Sequence, residues 1–445
     1  MAIDNIIGSF LRQASLTAKH KVRLKQTLTL NAIIITPKEQ IRGIQVTHFS
    51  EAADFLSNRS EKMGIKIQLR PGDYFDKIVP YRDDIIIQVV MDSDSERRIR
   101  EFVGIPIVDR DLRSEGDLAS LANLSAYNDI SLAEYEFQLM DKGFAKLRNE
   151  LVGANFAMET PGQILPYIMD KYSKAVDYGS APKYKGIYYP PFDNLSPVAQ
   201  VLIPPQTRLI DVPSYLQNKE EYGIYSKGLG SFYKQSWWWI YPLFDCNRVD
   251  QHHRPIDIIR VPKDKLPTLD YTFYMSEVAL TIISTGDAKH QDHADIRKQN
   301  QGVGKRVLQS AAIEGETGSH YTKGRSVITR ADTLQEYKLS DRKNSEEYVP
   351  FDPKPTSNMS AVLSVNAFNE GEILTVEWHN GDTGYLEPGH PLRYQYIGPD
   401  DQLIIRKGVL LGYRTDYLPI TAGPVPDMRR TCVLHIFLKK QNKYK

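Results

Sequence analysis

Two histidine clusters are the first places to look for chemistry. "DQHHRP" carries His252 and His253, and "HQDHAD" carries His290 and His293 beside Asp292 and Asp295. Imidazole nitrogen and carboxylate oxygen are donors that hold transition metals. Neither cluster has the HExxH spacing that sets two imidazoles on one helix face. His252 and His253 fall in a polar turn, so solvated loops are expected and no metal ligand is assigned. "GVGKR", Gly302 to Arg306, has the glycine and lysine that end a phosphate-binding loop. The first glycine is missing, Arg306 stands where Ser or Thr would meet magnesium, and no apolar strand leads in. "GLGSFY" from Gly228 lacks the third glycine and the preceding strand of a dinucleotide site. Asp83 with Asp84, and Asp400 with Asp401, are adjacent acids, whereas glycosidase carboxylates flank a substrate several ångströms apart. Neighbours on a strand point to opposite faces, so both pairs read as turn residues. Cys246 and Cys432 give no nucleophile on sequence alone. No catalytic residue and no cofactor is expected, and the chain is read as a non-enzyme.

What remains is "SWWWIYPLFD", Ser236 to Asp245, which places Trp237, Trp238 and Trp239 side by side. Three indoles suit either a ligand platform or a core. On a strand, Trp237 and Trp239 share one face and Trp238 takes the other, so they cannot form one flat surface. The expectation is a strand covered on both sides, with Pro242 confining it to a sheet edge or to the strand's end.

These residues need elements to hold them. At 445 residues the chain has room for several cores, and with only two cysteines it does not rest on a disulfide framework. Charge is balanced, 56 basic against 55 acidic residues, which argues against free nucleic acid or an anionic membrane as the main partner. Tyrosine stands at 26 residues against 15 phenylalanines, a bias that suits broad interfaces. No window approaches the ~18 to 20 apolar residues of a membrane span, and the N-terminus lacks a signal-peptide pattern. Ile3, Ile6, Ile7, Phe10 and Leu11 instead mark an amphipathic helix in an N-terminal arm, residues 1–20.

Residues 21–158 read mostly as strands, with "LAEYEFQLM" alternating and the stretch after it open between helix and strand. Thr160 and Pro161 start a helix. Ser214 and Gln217 form a possible capping box for a second helix running toward Gly228 and Gly230. The tryptophan strand and "PIDIIRVP" complete an α/β insert over 159–266. "LDYTFYMSEVALTIIST" reads as one long strand. A second β region is expected over 267–285 and 356–445, opening with "AVLSVNAF" and interrupted by a polar insertion at 286–355 that is expected to order against a neighbour. The fold class is therefore α+β, mainly β.

"LRPGDYFDKIVPYRDDIII" and "LEPGHPLRYQYIGPDDQLII" echo each other: Pro71, Gly72, Asp83 and Asp84 against Pro388, Gly389, Asp400 and Asp401. With the tryptophan-centred insert, "VALTIISTGDAK" before the polar excursion, and the late "LLGYRTDY" and "TCVLHIFLKK", the order of elements resembles the baseplate hub proteins of contractile-tailed bacteriophages. The resemblance implies two tail-tube-like β-barrel or sandwich domains flanking the insert, in a structural virion protein assembled in the host cytoplasm. It implies a homotrimer whose six tube domains imitate a hexameric ring. The tail tube protein would lie on one side and the central spike protein on the other, with baseplate wedge and tape measure proteins as further neighbours. DNA would pass through the lumen without specific binding, and no membrane is involved. The alternatives are a carbohydrate-binding or carbohydrate-active virion protein recognising host polysaccharide, motivated by the tryptophans, and another baseplate or neck component.

Overall fold

A computed structural model describes residues 2–93, 97–107, 132–219, 222–262, 269–291, 371–398 and 402–439, with short pieces between 306 and 368. Helix α1 (Ala2–Thr17) opens the chain. Leu11 and Ala14 pack it on Ile259, Val261, Tyr274 and Ile283, while the side chains of Ile3, Ile6 and Phe10 lie outside the described residues. After β1 (His20–Arg23), strands β2 (Leu28–Ile35), β3 (Gln40–Arg42), β4 (Gln45–Asp54) and β5 (Lys62–Leu69) follow. Strict alternation in β2 and β5 turns Leu30, Ala32, Ile34, Ile65, Ile67 and Leu69 inward. A π-helical turn (Asp73–Ile78) leads to β6 (Ile85–Ser93), β7 (Arg97–Pro106) and β8 (Ala133–Asp141).

The stretch left open between helix and strand contains both. Asp141 caps α2 (Lys142–Leu147) by accepting from the Phe144 amide, and β9 (Leu151–Glu159) follows. Thr160 caps α3 (Pro161–Ala175), accepting from Gln163 N at 3.3 Å. Then come β10 (Gly186–Tyr188), β11 (Val198–Arg208), α4 (Val212–Asn218), β12 (Leu229–Lys234) and β13 (Trp237–Pro242). The second helix is far shorter than the pattern predicts. Gln217 makes no capping box: its side-chain oxygen accepts from the amides of Ile224 and Tyr225, both at 3.1 Å, and its amide donates to Tyr225 O at 2.9 Å. Ser214 instead receives the Arg59 guanidinium. That pins residues 222–225 as a loop.

β14 (Ile256–Arg260), β15 (Tyr271–Met275) and β16 (Leu280–Gln291) follow. The single strand expected around Met275 is two strands, because Ser276 Oγ accepts from the Val278 and Ala279 amides and turns the chain. Within the polar insertion, β17 (Arg306–Leu308) pairs with β20 (Glu336–Lys338), and β18 (Ser319–Thr322) with β19 (Arg325–Ile328). Residues 286–291 of that stretch continue β16, while Asp292, His293, Asp295 and Gly302 lie outside the described residues. The described residues of "AVLSVNAF", 363–364 and 367–368, are helical instead of strand and one turn apart. β21 (Gly371–His379), β22 (Pro391–Ile397), β23 (Leu403–Pro419) and β24 (Asp427–Lys439) complete the chain.

Pairing closes two rings. In the first, β2, β6, β7, β8, β5, β4, β23 and β24 are joined in that order, and β24 returns to β2. In the second, β14, β16, β21, β24, β23 and β22 form the circuit, with β14 parallel to both neighbours and β15 and β1 attached outside β16. Ile256–Arg260, grouped with the insert on sequence, is thus a wall of the second barrel. Both barrels share β23 and β24. β23 pairs with β22 up to Val409 and with β4 from Gly412 on, shifting register against β24 between Leu410 and Gly412. A Cβ on Gly412 would stand 2.3 Å from Ala53 O, so only glycine permits the crossing there.

Each barrel has its own core, the first around Phe49, Ile65, Ile87 and Phe137, the second around Phe273, Trp378, Leu392 and Leu434. A third, around Leu165, Met169, Tyr225 and Trp238, belongs to the insert and takes in Phe144 and Leu147 of α2. Among the described residues no helix is long and apolar enough to cross a membrane.

The two echoing segments differ in backbone. Between Gly72 and Asp83 the chain makes helical turns, whereas the matching stretch after Gly389 is β22. Gly72 is right-handed (φ −62°), while Gly389 has φ +63° and a Cβ there would lie 2.1 Å from the Tyr241 ring. The shared letters answer two different steric demands.

Candidate functional site

The β12–β13 hairpin of the insert reaches back to where the two barrels meet. Its two-residue turn is Gln235–Ser236, with φ 53° and 69°, the left-handed pair of a tight hairpin that usually carries Asn-Gly. Neighbours hold it in place: Gln235 Nε2 donates to Gly384 O at 3.0 Å, and Lys185 N donates to Ser236 O at 2.8 Å.

Lys234, just before the turn, has a side chain only 4% exposed. Its ammonium donates to Thr383 O and Leu386 O, both at 2.8 Å, and to Tyr413 Oη at 2.9 Å, and it lies 3.4 Å from Glu61. One cation thereby touches the insert, the loop after β21, the shared strand β23 and the segment before β5. Glu61 also accepts from the Tyr413 hydroxyl and, at 3.1 Å, from Arg100. Arg100 reaches Glu51 as well, which further accepts from Tyr417 at 3.2 Å and Thr383 at 3.3 Å. Beside it Arg98 forms a two-pronged pair with Asp382, both contacts at 2.9 Å.

Burial pushes the Glu61 carboxyl upward, but the charges of Lys234 and Arg100 outweigh it and hold the group at about 2. Burial likewise drags Lys234 down, opposed by Glu61 and Glu51. A cleft of about 550 Å³ opens beside these groups, lined by Glu61, Arg98, Arg100, Lys185, Lys234 and Gln235 among others. Glu61, Arg98, Arg100 and Lys234 are engaged in charge pairs. The arrangement ties the insert to both barrels.

A second polar cluster lies where the chain leaves the insert. His252 meets Glu387 and His390, their donor atoms within 4.8 Å of one another. His252 is therefore not the solvated loop residue of the sequence reading; its side chain is 4% exposed. Arg254 N donates to His252 Nδ1 at 3.2 Å, which leaves Nε2 facing Glu387 at 3.4 Å. Glu387 N donates to His390 Nδ1 at 3.3 Å, and His390 Nε2 donates to Arg254 O at 2.7 Å. Burial pushes His390 down to about 4; it would push Glu387 up, but the facing histidines bring that carboxyl to about 2.

The other sequence candidates scatter. Trp238 is fully buried in the insert core, and its indole N–H donates to Ser173 Oγ at 2.9 Å. Trp239 turns toward the second barrel's core, and Trp237 stays 38% exposed, so the three rings make no platform. β13 lies between β10 and β12 and ends at Pro242. Pro71 and Pro388 are buried, Asp83 and Asp84 are exposed, and Asp400 and Asp401 lie outside the described residues. Sequence reasoning missed Glu51, Glu61, Arg100, Lys234, Tyr413 and His390. Glu51 carried a usable signal, since it falls in phase with inward Phe49 and Ala53, an acid on the core side of a strand.

No protein-family model matches the chain, and no curated protein matches it. Among solved structures, the chain is similar to a tail protein from Neisseria meningitidis, 11% identical with TM-score 0.43, over 93% of this chain and 97% of that one. It is similar also to a 43 kDa tail protein of prophage MuSo2 from Shewanella oneidensis, 10% identical with TM-score 0.43, over 91% and 96%. A third is an E. coli component of the type VI secretion system described as structurally similar to T4 bacteriophage tail proteins, 10% identical with TM-score 0.41, over 92% and 78%.

Proposed function

We propose that the chain is a structural hub of a contractile phage tail, three copies of which form a ring joining a six-fold tube to a three-fold spike around a channel for DNA. The observation that carries this is the pair of closed barrels built on two shared strands within one subunit. Three such subunits present six barrels, so a ring can be nearly six-fold in its contacts and three-fold in its chemistry. The outer face of β7 in the first barrel supports an assembly role, since Ile99 and Ile105 are exposed. The tube protein would pack on one face of the ring and the spike on the other, with wedge and tape measure proteins as further neighbours. Near-zero net charge suits a lumen that DNA crosses without sticking.

Light scattering and electron microscopy of the full chain, alone and with its tube and spike partners, test this. Rings of three times 50.8 kDa are expected; a particle that stays monomeric with both partners present overturns the reading.

A further inference from the structure

We propose that His252, Glu387 and His390 form a binding site for a divalent first-row transition metal of the zinc class, which ties the exit of the insert to the turn that starts β22. Three donors from two separate stretches of chain converge within 4.8 Å. Two imidazoles and one carboxylate are a complete three-ligand protein set for such an ion, with one position left for water. Calcium and magnesium prefer all-oxygen surroundings, so the two nitrogen donors select against them.

His390 is already set up as a ligand. It is 1% exposed, and its Nε2 proton is committed to Arg254 O at 2.7 Å, which puts the lone pair on Nδ1, where it now accepts from the Glu387 amide at 3.3 Å, a contact that coordination would replace. A backbone carbonyl on the far nitrogen is the usual device that orients a metal-binding imidazole. Coordination through His252 Nε2 moves that ring's proton to Nδ1 and gives up the 3.2 Å contact from Arg254 N. His253 lies tilted against His252 with ring centres 4.7 Å apart.

The test uses the full chain, stripped with a chelator and titrated with Co²⁺ and then Zn²⁺. The expected result is one equivalent of Co²⁺ bound with the visible bands of a four-coordinate nitrogen and oxygen site, displaced by Zn²⁺, and a higher melting temperature with Zn²⁺. Glu387→Gln and His252→Asn keep the shape of the cluster and should each weaken binding by more than ~10-fold. Absence of the Co²⁺ bands in the unaltered chain overturns the proposal, as does equal binding by a folded variant. Should a variant not fold, the Co²⁺ spectrum of the unaltered chain decides alone.

Discussion

The two buried polar clusters at the edges of the insert solve the same problem in opposite ways. Around Lys234 every charge meets an opposite charge or a carbonyl, and the group is closed on itself. Around His390 the donor groups of His252, Glu387 and His390 converge on one another, with each imidazole also bonded to backbone and His252 facing Glu387. A closed ionic cluster fixes the relative position of bodies that the chain connects elsewhere. An open one leaves a place for something to be added. One seam carries charge pairs, and the other carries imidazoles.

The comparison can be broken by substitution. Lys234→Met should have the largest effect, a loss of about 3–5 kcal/mol in urea unfolding, because Glu61 and two carbonyls lose their cation in a buried site. His390→Asn in metal-free protein should cost less, about 1–3 kcal/mol, the penalty of disturbing the Arg254 carbonyl contact. If the order is reversed, the ionic cluster is not the principal tie. Acid sharpens the same point. Glu61 is held at about 2, below its ordinary 4.5, so its contribution is fully present above about pH 4.5 and is lost as pH falls toward 2. Acid unfolding of Glu61→Gln should therefore show a shallower fall over that interval, measured by circular dichroism. The smallest effect, and opposite in sign, is expected at the hairpin: Ser236→Gly relieves a left-handed backbone and should stabilise by about 1 kcal/mol.

Legibility in the sequence followed the physics of each region. The first barrel alternates cleanly in β2 and β5, with the far end of the chain supplying Tyr417 and Met428 to its core, so its strands could be read locally. The second barrel is assembled from distant pieces, with β14 inserted parallel between β16 and β22, and no periodicity announces such a pairing. Trp238 was readable because adjacent strand residues must face opposite ways. Lys234 was not, because a cation at a strand's end looks solvated until the chain that covers it is known. His390 sat inside the "LEPGH" echo, where similarity of letters drew attention to Pro388 and Gly389 and away from the imidazole beside them.

Sharing β23 and β24 also sets a timetable. The strands from Leu28 to Asp141 leave β2 and β4 with open edges until Gly412 to Met428 has been synthesised. At about 5–20 residues per second that wait is on the order of tens of seconds. During it the nascent first barrel is an unpaired template, exposed to mispairing with a second nascent chain. β23 and β24 act as a latch for both barrels at once, so neither barrel can complete itself before they are made.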